Sequence, residues 1–313
     1  MSLETSGIHH VTAIASDPQA NLDFYTGALG LRLVKRTVNF DDPGTYHFYF
    51  GDEAGRPGSL LTFFPWPGIP RGRPGPGMVT RVRFAAAPGA LEFWRARLAA
   101  AGVALERGGR GALAFDDPDG LPLAIHESER ASSLPAWQGG PVAPAHALRA
   151  LEGVTIEVTH AAPTLELLTT SLGFRAGAGA GADRTLDSKH STVEVIERPG
   201  VSAGRPGAGT VHHVAWRARD EAEQRAWREA LVARGLGVTP VRDRCYFRSI
   251  YFFEPGGVLF EIATDGPGFA LDEPLEALGT SLQLPDWLEP QRASIERALP
   301  QLRAPSRTDP APR

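Results

Sequence analysis

The feature that most constrains this chain is an order of elements that recurs four times: a strand, a helix, then further strand-like runs. Residues 8–15 (IHHVTAIA) read as a strand by their β-branched content, and Asp17-Pro18 supplies an N-cap followed by proline at the first helical position. Leu22, Phe24, Tyr25 and Leu29 give that helix a buried face, and Gly27 and Gly30 close it. Strand-like runs follow at 31–38, 46–50 and 59–64. The second unit reads as strand 79–84, helix 88–101, strand 103–106, and a hairpin of 112–115 with 121–126 around DDPDG. The third opens at 151–158, with a helix near 163–171 and a Gly/Ala-rich loop at 177–182. The fourth opens at 211–216, continues through the helix DEAEQRAWREALVARG and a strand near 238–242, and ends in a hairpin joining 246–253 to 258–263. Units of roughly 50 to 60 residues with one element order are an internal repeat.

The expected fold is therefore α+β, four βαβββ modules in two halves. Residues 1–130 would hold modules one and two, and 148–265 modules three and four. The Pro-, Ser- and Gly-rich stretch 131–147 reads as the linker between them. A C-terminal extension, 266–303, carries a helix near 289–299, and its first part, to residue 284, is placed to fold over a cavity as a lid. The last residues, 304–313, read as a disordered tail.

Modules one and four share more than their order. His9-His10-Val11 and His212-His213-Val214 are near-identical strands in a chain with only nine histidines, so the doublets are equivalent positions in repeated units. A strand alternates its faces, which predicts that one imidazole of each doublet points into the enclosed space. Glu261 lies in the apolar run Val258-Leu259-Phe260-Glu261-Ile262, where an unpaired carboxylate is costly to bury. A cation is its simplest partner: two imidazoles and one carboxylate make the facial triad of non-haem Fe(II) oxygenases.

Composition narrows the partners. A net charge of −4, a pI near 6.2 and no run of like charge leave no electrostatic footprint for nucleic acid or an anionic membrane. No apolar stretch approaches the ~20 residues that span a bilayer, and the basic-then-apolar plan of a signal peptide is absent. The single cysteine, Cys245, rules out an intrachain disulfide or thiolate cluster and reads as an inert strand residue, so a reducing, cytoplasmic setting is expected. The expected partner is a small molecule, and a homo-oligomer is compatible with the sequence.

The repeat, the HHV strands and the ending GGVLFEIATD resemble the vicinal-oxygen-chelate superfamily of glyoxalases, bleomycin-resistance proteins and extradiol dioxygenases. Within it, IHHVTAIA, LRLVKRTVNFDDP, YHFYFGDEAGRPGSLLTFFPWP, VHHVAW and RCYFRSIYFFEPGGVLFEIATD are similar to ring-cleaving dioxygenases that act on hydroquinones. The resemblance implies metal ligands at His10, His213 and Glu261, with Fe(II) as the usual metal and Mn(II) as an option. It implies a pocket lined by His9, Thr12, His212, Arg244 and Tyr251, a small dihydroxylated aromatic as substrate with O2, and modules one and four sharing the cavity. In this reading His212 moves protons, Arg244 stabilises anionic oxygen and Tyr251 hydrogen-bonds the substrate.

Aligning Gly257–Glu261 with Gly58–Thr62 puts Thr62 where a four-ligand isomerase needs a second carboxylate. The rival reading, a glyoxalase-like isomerase or thiol transferase using Zn2+ or Ni2+, is thereby incomplete, and the triad argues against a non-catalytic binding protein. Three alternatives stay open. Arg244 can equally be a surface partner of Asp243 or Glu254. Tyr251 faces away from Glu261 if Phe253 pairs with Val258, and shares its face if Phe252 does. The loop 65–76 reads as solvent loop, with a border of the pocket as the alternative. His47, His126, His146, His160 and His190 lack equivalent partners and read as structural or surface residues.

Overall fold

The computed structural model describes residues 3–106, 111–177 and 183–303. The expected disordered tail, 304–313, and most of the Gly/Ala-rich loop lie outside the described residues. Among the described residues fifteen strands form two sheets. Module one supplies β1 (Ile8–Ala15), β2 (Arg32–Asn39), β3 (Asp42–Gly51) and β4 (Leu60–Pro65). Module two supplies β5 (Met78–Ala86), β6 (Ala112–Asp116) and β7 (Pro122–Glu127), and module three β8 (Ala150–Val158), β9 (Arg175–Ala176), β10 (Asp183–Asp187) and β11 (Thr192–Glu197). Module four closes the series with β12 (Thr210–Ala218), β13 (Arg242–Asp243), β14 (Phe247–Phe253) and β15 (Leu259–Pro267).

The sheets do not follow the halves of the chain. One has the order β13-β14-β15-β12-β1-β4-β3-β2, uniting modules one and four, and the other has β6-β7-β5-β8-β11-β10-β9, uniting two and three. In each sheet the opening strands of the two modules pair antiparallel at the centre, β1 with β12 and β5 with β8, which makes both pseudo-twofold. Each opening strand is flanked by a parallel partner from its own module, β4 or β15, β7 or β11. Val11, Val214, Trp216, Phe260 and Ile262 turn their side chains into one core, where burial of each large apolar side chain contributes about 1.5–3 kcal/mol.

The helices start and stop for local reasons. Asp17 accepts hydrogen bonds from the amides of Gln19 and Ala20 and so caps α1 (Pro18–Asp23), which continues as a π-helical turn, Phe24–Ala28. The helices α2 (Leu91–Ala100), α3 (Glu129–Ser132) and α4 (Ala161–Thr170) follow. Asp220 caps α5 (Glu221–Ala233), which buries Gln224, Trp227 and Leu231 on one face. The strand expected at 103–106 is reduced to one bridge, Leu105 with Phe115, and the one at 238–242 to the two residues of β13. Both segments are short edges with few cross-strand partners to hold a ladder.

The stretch 131–147 is not a loose tether. Ala131, Ala136, Val142 and Ala147 are buried, and the Trp94 indole donates to the His146 carbonyl at 2.8 Å. The C-terminal extension ends in α6 (Arg292–Ala298) and straps the outer edge of module one instead of covering the cavity. Lys35, fully buried, donates to Asp272 at 2.6 Å and Glu273 at 2.5 Å, and Tyr46 donates to the Pro300 carbonyl at 3.0 Å. None of its residues lines the cavity described next, so the expected lid is a strap.

Candidate metal centre

The central pair β1–β12 carries a bulge in each strand. Ile8 faces Trp216 and His10 faces Ala215, which leaves His9 unpaired; Thr12 faces His213 and Ala13 faces Val211, which leaves His212 unpaired. An inserted residue cancels the alternation of faces, so both imidazoles of each doublet come together on one side of the sheet. The expectation of one inward histidine per doublet is thereby corrected. His9 Nδ1 lies 2.9 Å from His10 Nδ1, and His212 Nδ1 lies 2.7 Å from His213 Nδ1.

This contact fixes where the protons are. His9 Nε2 sits 3.1 Å from the Thr264 carbonyl, which only accepts, so that nitrogen carries the hydrogen. Burial, with His10 acting the same way, pushes the His9 imidazole down to about 3, so the ring is neutral and its Nδ1 accepts from His10 Nδ1–H. His10 Nε2 is left with a bare lone pair. His213, which burial also holds below its ordinary value, stands in the same relation to His212.

The lone pairs converge. His10 Nε2 and His213 Nε2 are 3.3 Å apart, and Glu261 Oε2 is 3.3 Å from the first and 2.8 Å from the second. All three residues are buried, and Glu261 Oε2 has no hydrogen-bond partner although Oε1 accepts from Ser249. Burial works to raise the Glu261 carboxyl, and it is positive charge at the imidazole nitrogens, or on a cation held between them, that keeps it ionised well below the carboxylate range. A buried carboxylate facing nitrogen lone pairs is stable only around a cation. The spacings fit one: ligands about 2.1 Å from a metal lie about 3.0 Å apart at octahedral and about 3.4 Å at tetrahedral angles. The donor set of two imidazoles and one carboxylate suits Fe(II), Mn(II) or another divalent first-row ion.

Pseudo-symmetry shows what fills the fourth corner. Thr62 faces Thr12 across β1–β4 as Glu261 faces Ala215 across β12–β15, and its hydroxyl is 2.8 Å from Thr12 Oγ1 and 3.0 Å from His47 Nε2. In the same way Tyr49 faces Thr62 as Tyr251 faces Glu261. Tyr251 therefore shares the face of the metal ligands. The register matches neither alternative drawn from the sequence, because the five-residue connection pairs Phe253 with Leu259.

The candidate ligands His10, His213 and Glu261 lie at a cavity of about 250 Å3 walled by Phe40, Tyr49, Phe64, Trp66 and Phe247. His212, Arg244 and Tyr251 line it, while His9 stands behind His10 and Thr12 is bound to Thr62. Arg244 is no partner of Asp243 or Glu254; its Nη2 donates to Asp41 at 2.9 Å and its Nε to the Tyr251 oxygen at 3.0 Å. Burial, then Glu261, keeps the Tyr251 phenol above its usual range, so it stays protonated, its hydroxyl lying at the cavity beside Arg244 and Ser249. Trp66 places loop 65–76 at the cavity wall, its indole donating to Asp42 at 2.8 Å. His47, read from the sequence as structural, also lines the cavity, its ring 4.0 Å from Tyr49 and 4.4 Å from Phe64. The signal for it was present: in the module alignment that pairs Thr62 with Glu261, His47 falls on Ser249.

Residues 7–125 and 150–262 match the model of the Glyoxalase/Bleomycin resistance protein/Dioxygenase superfamily. A Bacillus subtilis (strain 168) protein named "Putative ring-cleaving dioxygenase MhqO" is 46% identical over 306 residues, 96% of this chain and 97% of that one. The chlorohydroquinone/hydroquinone 1,2-dioxygenase of Sphingobium indicum is 32% identical over 315 residues, covering 94% and 95%. A crystal structure from Bacillus subtilis with the heading "putative dioxygenase" superposes with a TM-score of 0.92 at 44% identity, covering 96% and 99%. Glyoxalase I of Zea mays shares the fold alone, with a TM-score of 0.60 at 14% identity over 82% of this chain and 92% of that one.

Proposed function

The chain belongs to the Glyoxalase/Bleomycin resistance protein/Dioxygenase superfamily, and from that premise we propose that it is a ring-cleaving dioxygenase of the extradiol type, holding Fe(II) at His10, His213 and Glu261 and opening a hydroquinone with O2. The observation that carries the proposal is the orphaned Glu261 Oε2 among imidazole nitrogens, under a cavity walled by aromatic rings. Fe(II) would supply a place for phenolate and O2 to bind side by side and a path for electron density between them, which relieves the spin restriction on their direct reaction. Mn(II) suits the same donors.

The chain's own side chains do the rest. A cavity of about 150 Å3 accepts benzene, so one of 250 Å3 takes a single substituted ring and little more. Arg244, braced by Asp41, presents a fixed positive charge to an anionic ring oxygen, and the protonated Tyr251 hydroxyl donates to the same region once substrate is bound. His212 reaches into the cavity with a neutral ring and takes the proton released from the substrate hydroxyl. The aromatic walls exclude water from the reacting oxygens. Thr62, pinned by Thr12 and His47, leaves the fourth corner without a carboxylate, which supports the dioxygenase over the four-ligand isomerase. No helix among the described residues is long and apolar enough to cross a membrane, and a cytoplasmic site of action is part of this proposal.

Protein purified without oxygen and loaded with Fe(II) is expected to consume about one O2 for each hydroquinone ring opened and to yield an ultraviolet-absorbing acid. Absence of oxygen uptake with hydroquinones and catechols, together with turnover of a thiohemiacetal under Zn2+ or Ni2+, would transfer the assignment to the isomerase.

A further inference from the structure

A second cavity, of about 240 Å3, reaches the metal centre from the side of the β14–β15 hairpin. His212 and His213 line both cavities, so the two adjoin at that doublet. Their outer linings differ in kind. The first cavity opens past Asn39, Asp41 and Arg244, a polar mouth suited to a phenol. The second is lined by Met78, Val79, Val211, Phe253, Val258 and Leu259, and apart from the two histidines no ionisable side chain touches it.

Two loops keep this cavity at a fixed width. Gly77 and Gly257 both hold positive φ, +88° and +95°, and a Cβ on Gly257 would lie 3.6 Å from the Gly77 Cα, so the backbones of the β5 entry and the hairpin meet there without side chains between them. Gly77 N–H donates to the Glu157 carbonyl at 2.7 Å, which ties that entry to β8. Phe253, 66% exposed, and Leu259 face each other across the hairpin on the same side as Tyr251 and Glu261.

We propose that this apolar cavity is a holding site and route for dioxygen, separate from the aromatic cavity and delivering the gas beside His212 and His213. The inference rests on the dioxygenase reading above. A neutral diatomic gains nothing from a charged mouth, and a ring seated in the first cavity blocks that path for a second reactant. Apolar walls take up small apolar gases and give water no partners. The polar mouth and the apolar pocket thus sort the two substrates before they meet.

Xenon, an apolar atom that marks dry cavities, tests the site without turnover. Crystals under xenon pressure are expected to show a peak between Val79, Val211 and Leu259. Leu259→Trp should fill the cavity, remove that peak, and raise the KM for O2 roughly five-fold or more while the KM for the ring stays within about two-fold. Pro206→Trp narrows the same space from the exposed rim, in case the first variant does not fold. Xenon absent from this cavity in protein that consumes O2, or an unchanged KM for O2 in a folded variant that no longer binds xenon, overturns the route alone. Xenon binding in wild-type protein that consumes no O2 with any ring overturns the dioxygenase reading, and with it the assignment of the cavity to dioxygen.

Discussion

The two sheets are built on one plan and carry opposite content. The β5–β8 pair repeats both bulges of β1–β12, with Thr80 and Glu152 in the places of His9 and His212. By the same register Arg81 and Gly153 stand where His10 and His213 do, Arg83 where Thr12 does, and Glu194 where Glu261 does. The carboxylate survives while the imidazoles are gone. In their place the Arg83 guanidinium enters the centre, 3.6 Å from Glu194 Oε2 and 2.8 Å from the hydroxyls of Thr155 and Thr192. A side-chain cation takes the role that a metal ion would take in the other sheet. The difference teaches that the βαβββ pair supplies a carboxylate on a bulged central seam, and that the side chains and backbone packed around it decide which cation satisfies it.

The sharpest way to break this comparison is to remove each carboxylate in turn. Loss of an outer hydrogen bond to a metal ligand costs 10–100-fold in affinity, so loss of a ligand itself, Glu261→Ala, is expected to exceed about 100-fold and leave the purified protein metal-free. Glu194→Ala should leave metal content and turnover unchanged. Elemental analysis after desalting decides it, and full metal content in Glu261→Ala would remove the assignment.

A finer test uses the pair that holds the two corners of the first sheet. Ser249 donates to Glu261 and His47 bonds Thr62, at equivalent positions. Ser249→Ala is expected to weaken metal binding by about 10–100-fold. His47→Ala, which touches no ligand, should leave metal affinity within about two-fold and raise the KM for the ring, because its ring forms part of the wall. Competition against a chromogenic chelator and steady-state kinetics separate the two outcomes.

How much of this was legible beforehand depends on how local each signal is. The candidate ligands were readable because His-His-Val repeats around His10 and His213, and because Glu261 interrupts an apolar strand. The bulges at His9 and His212 were not, since an extra residue shows only against the partner strand, and those partners lie over two hundred residues apart. Tyr251 was ambiguous for the same reason: register is a property of the pair. The strap was read as a lid because nothing near residue 272 shows that Lys35, in a strand far upstream, is buried and needs its carboxylates. The emptied centre of the second sheet was invisible, because Arg83 and Glu194 belong to modules whose likeness is one of element order alone.

The smallest effect expected is in that second sheet, and it bears most directly on the idea of interchangeable cations. Arg83→Met removes the guanidinium but leaves Thr155 donating to Glu194 at 2.7 Å, and the Glu194 side chain, 39% exposed, can take water. Solvent screening therefore limits the loss to about 1 kcal/mol, read as a shift of the urea midpoint at unchanged slope. The variant should also acquire no metal, and neither should Arg81→His, Arg83→Thr and Gly153→His combined, which restores both imidazole positions. A Cβ on Gly153 would meet the Thr192 carbonyl oxygen at 2.2 Å, and that atom is backbone, which cannot turn aside as a side chain can. Divalent-ion binding by the triple variant, detected by calorimetry at the second sheet with Glu261→Ala as background, would show that the two centres differ only in side chains. Its absence would place the difference in the approach of β8 to β11, where the second centre has closed around its arginine.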